Sequence, residues 1–121
     1  RLYKIASGAS DYDYRWTEVL MQRAAQQMDG LSLHYYTVTG WSGSKGSATD
    51  FSTDDYYWTL GKCREIEDVI KRHIAIMDKY DPKKQIGLMV DEWGTWWMKS
   101  RELSVDICIS RTRCAMLSWP L

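Results

Sequence analysis

Apolar positions along the chain recur with two different periods, and the alternation between them sets the order of elements. Residues 2–6 form a short apolar-rich run stopped by Ser7 and Gly8, which predicts a strand and a loop. From residue 16 to 28 the period turns helical, with Trp16, Val19, Leu20, Arg23, Ala24 and Gln27 on neighbouring rows. Asp13 or Thr17 is placed to cap this helix, and Asp29-Gly30 ends it. "LSLHYYTV", residues 31–38, reads as a second strand. A polar, glycine-rich loop over residues 39–53 follows, of a length more often functional than incidental. Thr53 or Asp54 then opens a long helix to about Tyr80, striped by Tyr57, Leu60, Cys63, Ile66, Val69, Ile70, Ile74 and Met77 and broken at Pro82. Residues 86–90 are apolar without interruption, as in a strand buried on both faces of a parallel sheet.

The order is βαβαβ, with helices as crossovers, so the fold class is α/β: a doubly wound sheet or part of a (β/α)8 barrel. Polar residues collect where the strands end: Ser7-Gly8, then His34-Tyr35-Tyr36, then Asp91-Glu92-Trp93. Barrel chemistry sits at that end of the strands, which favours the barrel. No glycine-rich dinucleotide or phosphate loop interrupts the pattern, so nucleotide binding has no support.

Composition narrows the chemistry. Basic and acidic residues balance at 16 each, leaving no electrostatic footprint for nucleic acid. Seven Trp and eight Tyr stand against one Phe, a bias toward rings that combine an apolar face with a polar handle and suit packing against sugars or bases. Cys63, Cys108 and Cys114 are an odd count without zinc-ligand spacing, which fits a reducing compartment better than a disulfide framework. No metal site is indicated, and no stretch is long and apolar enough to span a membrane. The chain opens on "RLYKIASG", already strand-like and without an initiating Met, which reads as a piece of something longer.

The stretch "QIGLMVDEWGTWW", residues 85–97, drives an apolar run into two carboxylates flanked by indoles. On a regular strand Asp91 and Glu92 point to opposite sides, so one faces the site while the other faces the helices or a neighbouring loop. Glu92 beside Trp93 and Trp96 suits a carboxylate that attacks an anomeric carbon while aromatic faces hold the sugar. His34 and Tyr36 share one face of the preceding strand, and a Tyr hydroxyl donating to Glu92 would keep it ionised and aimed. Taken singly, each has a plainer reading: a surface carboxylate, a half-buried His and a core Tyr. His73 and Met28 read as structural.

"DGLSLHYYTVTGW", "KGSATDFSTDDYYWTL", "RHIAIMDKYDP" and "VDEWGTWW" occur in the order and spacing of glycoside hydrolase family 51, and residues 1–97 resemble that family. The resemblance implies a segment of a (β/α)8 TIM barrel, its strands similar to the fifth, sixth and seventh. It implies retaining hydrolysis of terminal non-reducing α-L-arabinofuranosyl groups from oligosaccharides or polysaccharides, with no cofactor, no metal, no nucleic acid and no membrane, in a cytoplasmic, homo-oligomeric parent. By position, Glu92 matches the nucleophile, Tyr36 the tyrosine that orients it, His34 a residue lining the same pocket and Trp96 an aromatic wall of the sugar subsite; Trp93, beside Glu92, is a further candidate substrate-binding residue. The family's acid/base lies in an Asn-Glu pair, and no such pair occurs in this chain. A full barrel needs ~250 residues, so about three β/α units are expected, without turnover by the isolated chain.

The resemblance stops at Trp97. Residues 98–121, "MKSRELSVDICISRTRCAMLSWPL", alternate like a half-exposed strand over Leu103, Val105, Ile107 and Ile109. Restoring one base before Met98 permits codons that read "DEEPGTKRGYLHQQNTLRDAVLAA", close to the family's continuation. The tail is therefore expected to be a frameshift product without a domain of its own. The rival readings are a non-catalytic remnant with at most weak sugar binding, and another retaining (β/α)8 glycosidase.

Overall fold

The computed structural model describes residues 1–40 and 45–97. The expectations for residues 98–121, including Cys108, Cys114 and the strand-like alternation, lie outside the described residues.

The order of elements is β1 (Ile5–Ser10), α1 (Tyr14–Ala24) with a 3-10 turn (Ala25–Gln27), β2 (Gly30–Thr37), α2 (Thr53–Arg64), α3 (Ile66–Tyr80) and β3 (Gly87–Thr95). The three strands form one sheet in the order β1-β2-β3, and both pairs are parallel. The α/β class read from the sequence is therefore the observed one. β2 is the central strand, and one of its faces carries the core. Leu31 packs with Met21 of α1 and Met77 of α3, while Leu33 and Tyr35 pack with Val69 of α3 and Ala9 of β1. Leu88 and Val90 of β3 extend the same apolar layer.

Local chemistry explains where the boundaries differ from expectation. Ser7 and Gly8 lie inside β1 rather than in a loop. Gly8 is there because nothing larger fits: a Cβ on it would stand 1.6 Å from the Ser32 carbonyl oxygen. Its N–H donates to Ser32 Oγ at 2.9 Å, and the register slips between Ala6 and Ala9 to allow the approach. In α1 the cap is Asp13, whose carboxylate accepts from the Trp16 N–H. The buried stripe is Thr17 and Met21, and Trp16 remains 48% exposed.

The expected long helix is two helices. α2 starts after Ser52, which forms a reciprocal capping box with Asp55, and α3 begins beyond Glu65. Of the expected stripe, Val69 and Met77 are buried, joined by His73, whereas Tyr57, Leu60 and Ile74 are exposed.

His73 is structural, as expected, and fully buried. Its Nε2 lies 2.9 Å from the Asp11 carbonyl, which can only accept, so that nitrogen carries the proton. Nδ1 is then the acceptor for Thr17 Oγ1 at 2.8 Å. Burial pushes the His73 pKa below its ordinary value, against the opposing pull of the Asp11 hydrogen bond and of Asp13. A lowered folded-state pKa means that the unfolded chain binds the proton first as pH falls. His73 thus contributes stability that is fully present above pH ~6.5 and is lost as pH drops toward the folded-state pKa. The urea midpoint of the chain should fall below pH ~6.5, and His73→Gln should remove the part of that slope lying above carboxylate titration. An unchanged slope in His73→Gln would contradict this assignment.

Candidate active site

Residues paired across a parallel ladder share a face, so register decides what can meet. Along β2 the buried side chains at 31, 33, 35 and 37 alternate with His34 and Tyr36, which are only half-buried. Leu33 pairs with Val90, both on the helix side. Strict alternation from Val90 would send Glu92 to that same side. Instead the register shifts after Leu33, and His34 pairs with Glu92. Asp91 is the extra residue. It reverses the phase of β3 and brings Glu92 onto the face of His34 and Tyr36.

The consequence is a compact polar group. Tyr36 Oη donates to Glu92 Oε1 at 2.7 Å. His34 Nδ1 stands 3.4 Å from Glu92 Oε2, and His34 Nε2 stands 3.4 Å from Asp91 Oδ1. Both contacts are long for hydrogen bonds. Asp91 and Glu92 therefore do not divide between the two sides of the sheet. The displaced residue of a bulge no longer obeys alternation, and both carboxylates reach one imidazole. Both are about half exposed.

Aromatic and cationic groups border this cluster. The Trp96 ring lies 5.7 Å from the Tyr36 ring, tilted by 46°, and Lys45 Nζ sits 5.1 Å from the Trp96 centroid. Gly94 pairs with Tyr36 at φ +144°, a conformation that essentially only glycine adopts, and carries the chain from Glu92 to Trp96. Trp93 pairs with Tyr35, out of phase with Glu92, and is 48% exposed. The structure thus groups Glu92, Tyr36, His34 and Trp96 and leaves Trp93 on the other face. The sequence reading missed Asp91 and Lys45 as neighbours of the group, the first because bulges carry no sequence signature and the second because it sits in the long loop. A shallow apolar recess of about 210 Å³ lies elsewhere, lined by Phe51, Asp55, Tyr56, Thr59, Leu60 and Trp97. Among the described residues, no group of His, Cys, Asp and Glu is arranged to hold a metal ion, and no helix is long and apolar enough to cross a membrane.

The chain is 75% identical over 97 residues to an intracellular exo-α-L-arabinofuranosidase of Bacteroides ovatus, covering 80% of this chain and 19% of that protein. It is 28% identical over 106 residues to an intracellular exo-α-(1→5)-L-arabinofuranosidase of Acetivibrio thermocellus, covering 81% of this chain and 19% of that protein. The crystal structure of the GH51 arabinofuranosidase from Xanthomonas axonopodis pv. citri superposes with a TM-score of 0.80 at 47% identity, over 85% of this chain and 21% of that one. The chain matches a segment of the GH51 arabinofuranosidases. No family model matches it.

This GH51-like segment spans about a fifth of the length of the curated relatives. Its polar cluster depends on Gly94 keeping its backbone. Gly94→Ala should cost about 1–3 kcal/mol by urea denaturation, the usual cost of forcing a side chain into a glycine-only conformation. A loss within error of zero would mean that β3 does not take this path after Glu92.

Proposed function

We propose that the chain is part of a retaining exo-α-L-arabinofuranosidase in which Glu92 is the nucleophile. The observation that carries this reading is the Tyr36 hydroxyl on Glu92 at 2.7 Å, with His34 and Trp96 on the same side of the sheet. A carboxylate oxygen that accepts from a phenol is held in one orientation. Attack by one Glu92 oxygen on the anomeric carbon would displace the aglycone and leave a glycosyl ester, which water then hydrolyses. Trp96 would hold the apolar face of the furanose and His34 a hydroxyl, while Trp93, on the other face of the sheet, takes no part.

Retaining hydrolysis needs a second carboxyl group ~5–5.5 Å from the first to protonate the leaving oxygen. The Asn-Glu pair expected of such an acid/base is absent from the chain, so that group belongs to the rest of the protein. In this reading residues 1–97 are three consecutive units of a (β/α)8 barrel, similar to strands five to seven, and the whole enzyme is intracellular, acting on arabinofuranosyl-containing glycans. The three parallel strands joined by helical crossovers, and the arabinofuranosidase activity named for the relatives, support it. Residues 98–121 are read as a frameshifted tail. The 97-residue match to the Bacteroides ovatus protein has the length of the segment before Met98.

The test is a graft of residues 1–97 into the full-length Bacteroides ovatus relative in place of the matching segment. The graft should hydrolyse an aryl α-L-arabinofuranoside and leave aryl glucoside and xyloside largely intact. Glu92→Ala should lower turnover by several orders of magnitude, and azide should restore part of it as an arabinosyl azide of inverted configuration. Tyr36→Phe should lower kcat about 10- to 100-fold, as expected for removing a hydrogen bond to a charged group. Near-normal turnover by Glu92→Ala would overturn the assignment.

A further inference from the structure

The end of β1 departs from a plain strand, and the departure bears on the polar cluster. Ser10 pairs with His34, so a regular parallel ladder would continue with Asp11 opposite Tyr35. In such a ladder Asp11 would donate its N–H to the His34 carbonyl and accept the Tyr36 N–H on its own carbonyl. The first bond is present: Asp11 N–H donates to His34 O at 2.8 Å. The second is not made by the backbone. Asp11 has a left-handed φ of +52°, which turns its carbonyl away from β2 and onto His73 Nε2. The Asp11 side chain fills the missing position, and Oδ1 accepts the Tyr36 N–H at 3.1 Å.

We propose that Asp11 is a positioning residue for the Glu92 site, its carboxylate standing in for a strand carbonyl and its own carbonyl tied to buried His73. The proposal rests on the reading of Glu92 as nucleophile. Asp11 grips the backbone on both sides of Tyr35, at the two residues whose side chains meet Glu92. His73 anchors Asp11 from within α3, where Thr17 of α1 holds the other ring nitrogen. The backbone under His34 and Tyr36 is thereby connected by hydrogen bonds to the helix layer. Burial pushes the Asp11 carboxyl upward, and the Tyr36 N–H, Lys62 and His34 draw it back, so the group works as an acceptor among opposed influences. Either protonation state retains an acceptor oxygen for the Tyr36 amide.

The left-handed backbone selects the informative variants. Asparagine and glycine both tolerate it, so neither adds backbone strain. Asp11→Asn keeps an acceptor oxygen, and Asp11→Gly removes it. In the graft, Asp11→Gly should lower kcat on the order of 10- to 100-fold with KM changed less than threefold, as for a small misplacement of the reacting groups. Asp11→Asn should restore kcat to within a few-fold of the parent graft. In the 121-residue chain itself, the Tyr36 amide should exchange with solvent on the order of 10-fold faster in Asp11→Gly, and as in the unsubstituted chain in Asp11→Asn. Unchanged Tyr36 exchange in Asp11→Gly, or equal kcat losses in both variants, would overturn the proposal. Turnover that survives Glu92→Ala, with Tyr36 exchange responding as described, would instead overturn the functional reading and leave the backbone role of Asp11 standing.

Discussion

One unpaired residue on β3 decides which side of the sheet Glu92 occupies. Up to Val90 the strand keeps step with β2, and Leu88 and Val90 join the apolar layer over the helices. Had the step continued, Glu92 would have followed them into that layer, where an ionised carboxylate is costly. The extra residue, Asp91, sets the phase back by one. Glu92 then meets His34 in register and Tyr36 diagonally. Everything further along β3 inherits the new phase, including Gly94 opposite Tyr36 and Trp93 opposite Tyr35.

The phase matters only because β2 is itself fixed. Its helix-side residues Leu31, Leu33 and Tyr35 are buried, and Tyr35 Oη donates to the Lys62 carbonyl at the end of α2. A slip of one residue would exchange these side chains for His34 and Tyr36, at a cost on the order of 1.5–3 kcal/mol for each large apolar group exposed. The polar face of β2 is thus held in place by what its other face buries. Two further devices lock the same strand from β1: the close approach of Gly8 to Ser32, and the carboxylate of Asp11 on the Tyr36 amide. The site is assembled from three parallel strands whose register is set in the core, while its groups remain open to solvent.

Much of this was legible in the sequence, because its signals are periodic. Apolar runs of strand length separated by helical stripes pointed to three parallel strands, but the polar residues at 34, 36, 91 and 92, expected at strand ends, lie within β2 and β3, which continue to Thr37 and Thr95. Face-sharing of His34 and Tyr36 on β2 and the family resemblance pointed to a Tyr36–Glu92 contact, but the bulge at Asp91 that permits it was not foreseen. What escaped has a common cause, which is interruption of the period. Gly8 reads as a stop but permits a close strand crossing. Asp91 looks like an alternating residue but is the displaced one. The break at Glu65 hides inside an apparently continuous helical pattern, and in α2 the buried residue is Thr59 rather than one of the expected stripe. Asp11 was passed over because its role lies in a backbone conformation that composition does not reveal.

The nucleophilic assignment of Glu92 is the point on which the account turns, and Asp91 is its natural competitor, since both carboxylates face one imidazole. The decisive measurement is covalent trapping. A graft of residues 1–97 into the full-length relative would be treated with a slow arabinofuranosyl donor carrying a good leaving group, digested, and analysed by peptide mass spectrometry. The account predicts a single arabinosyl adduct on the Glu92 carboxylate. An adduct on Asp91, or turnover of the donor with no adduct on Glu92, would contradict it.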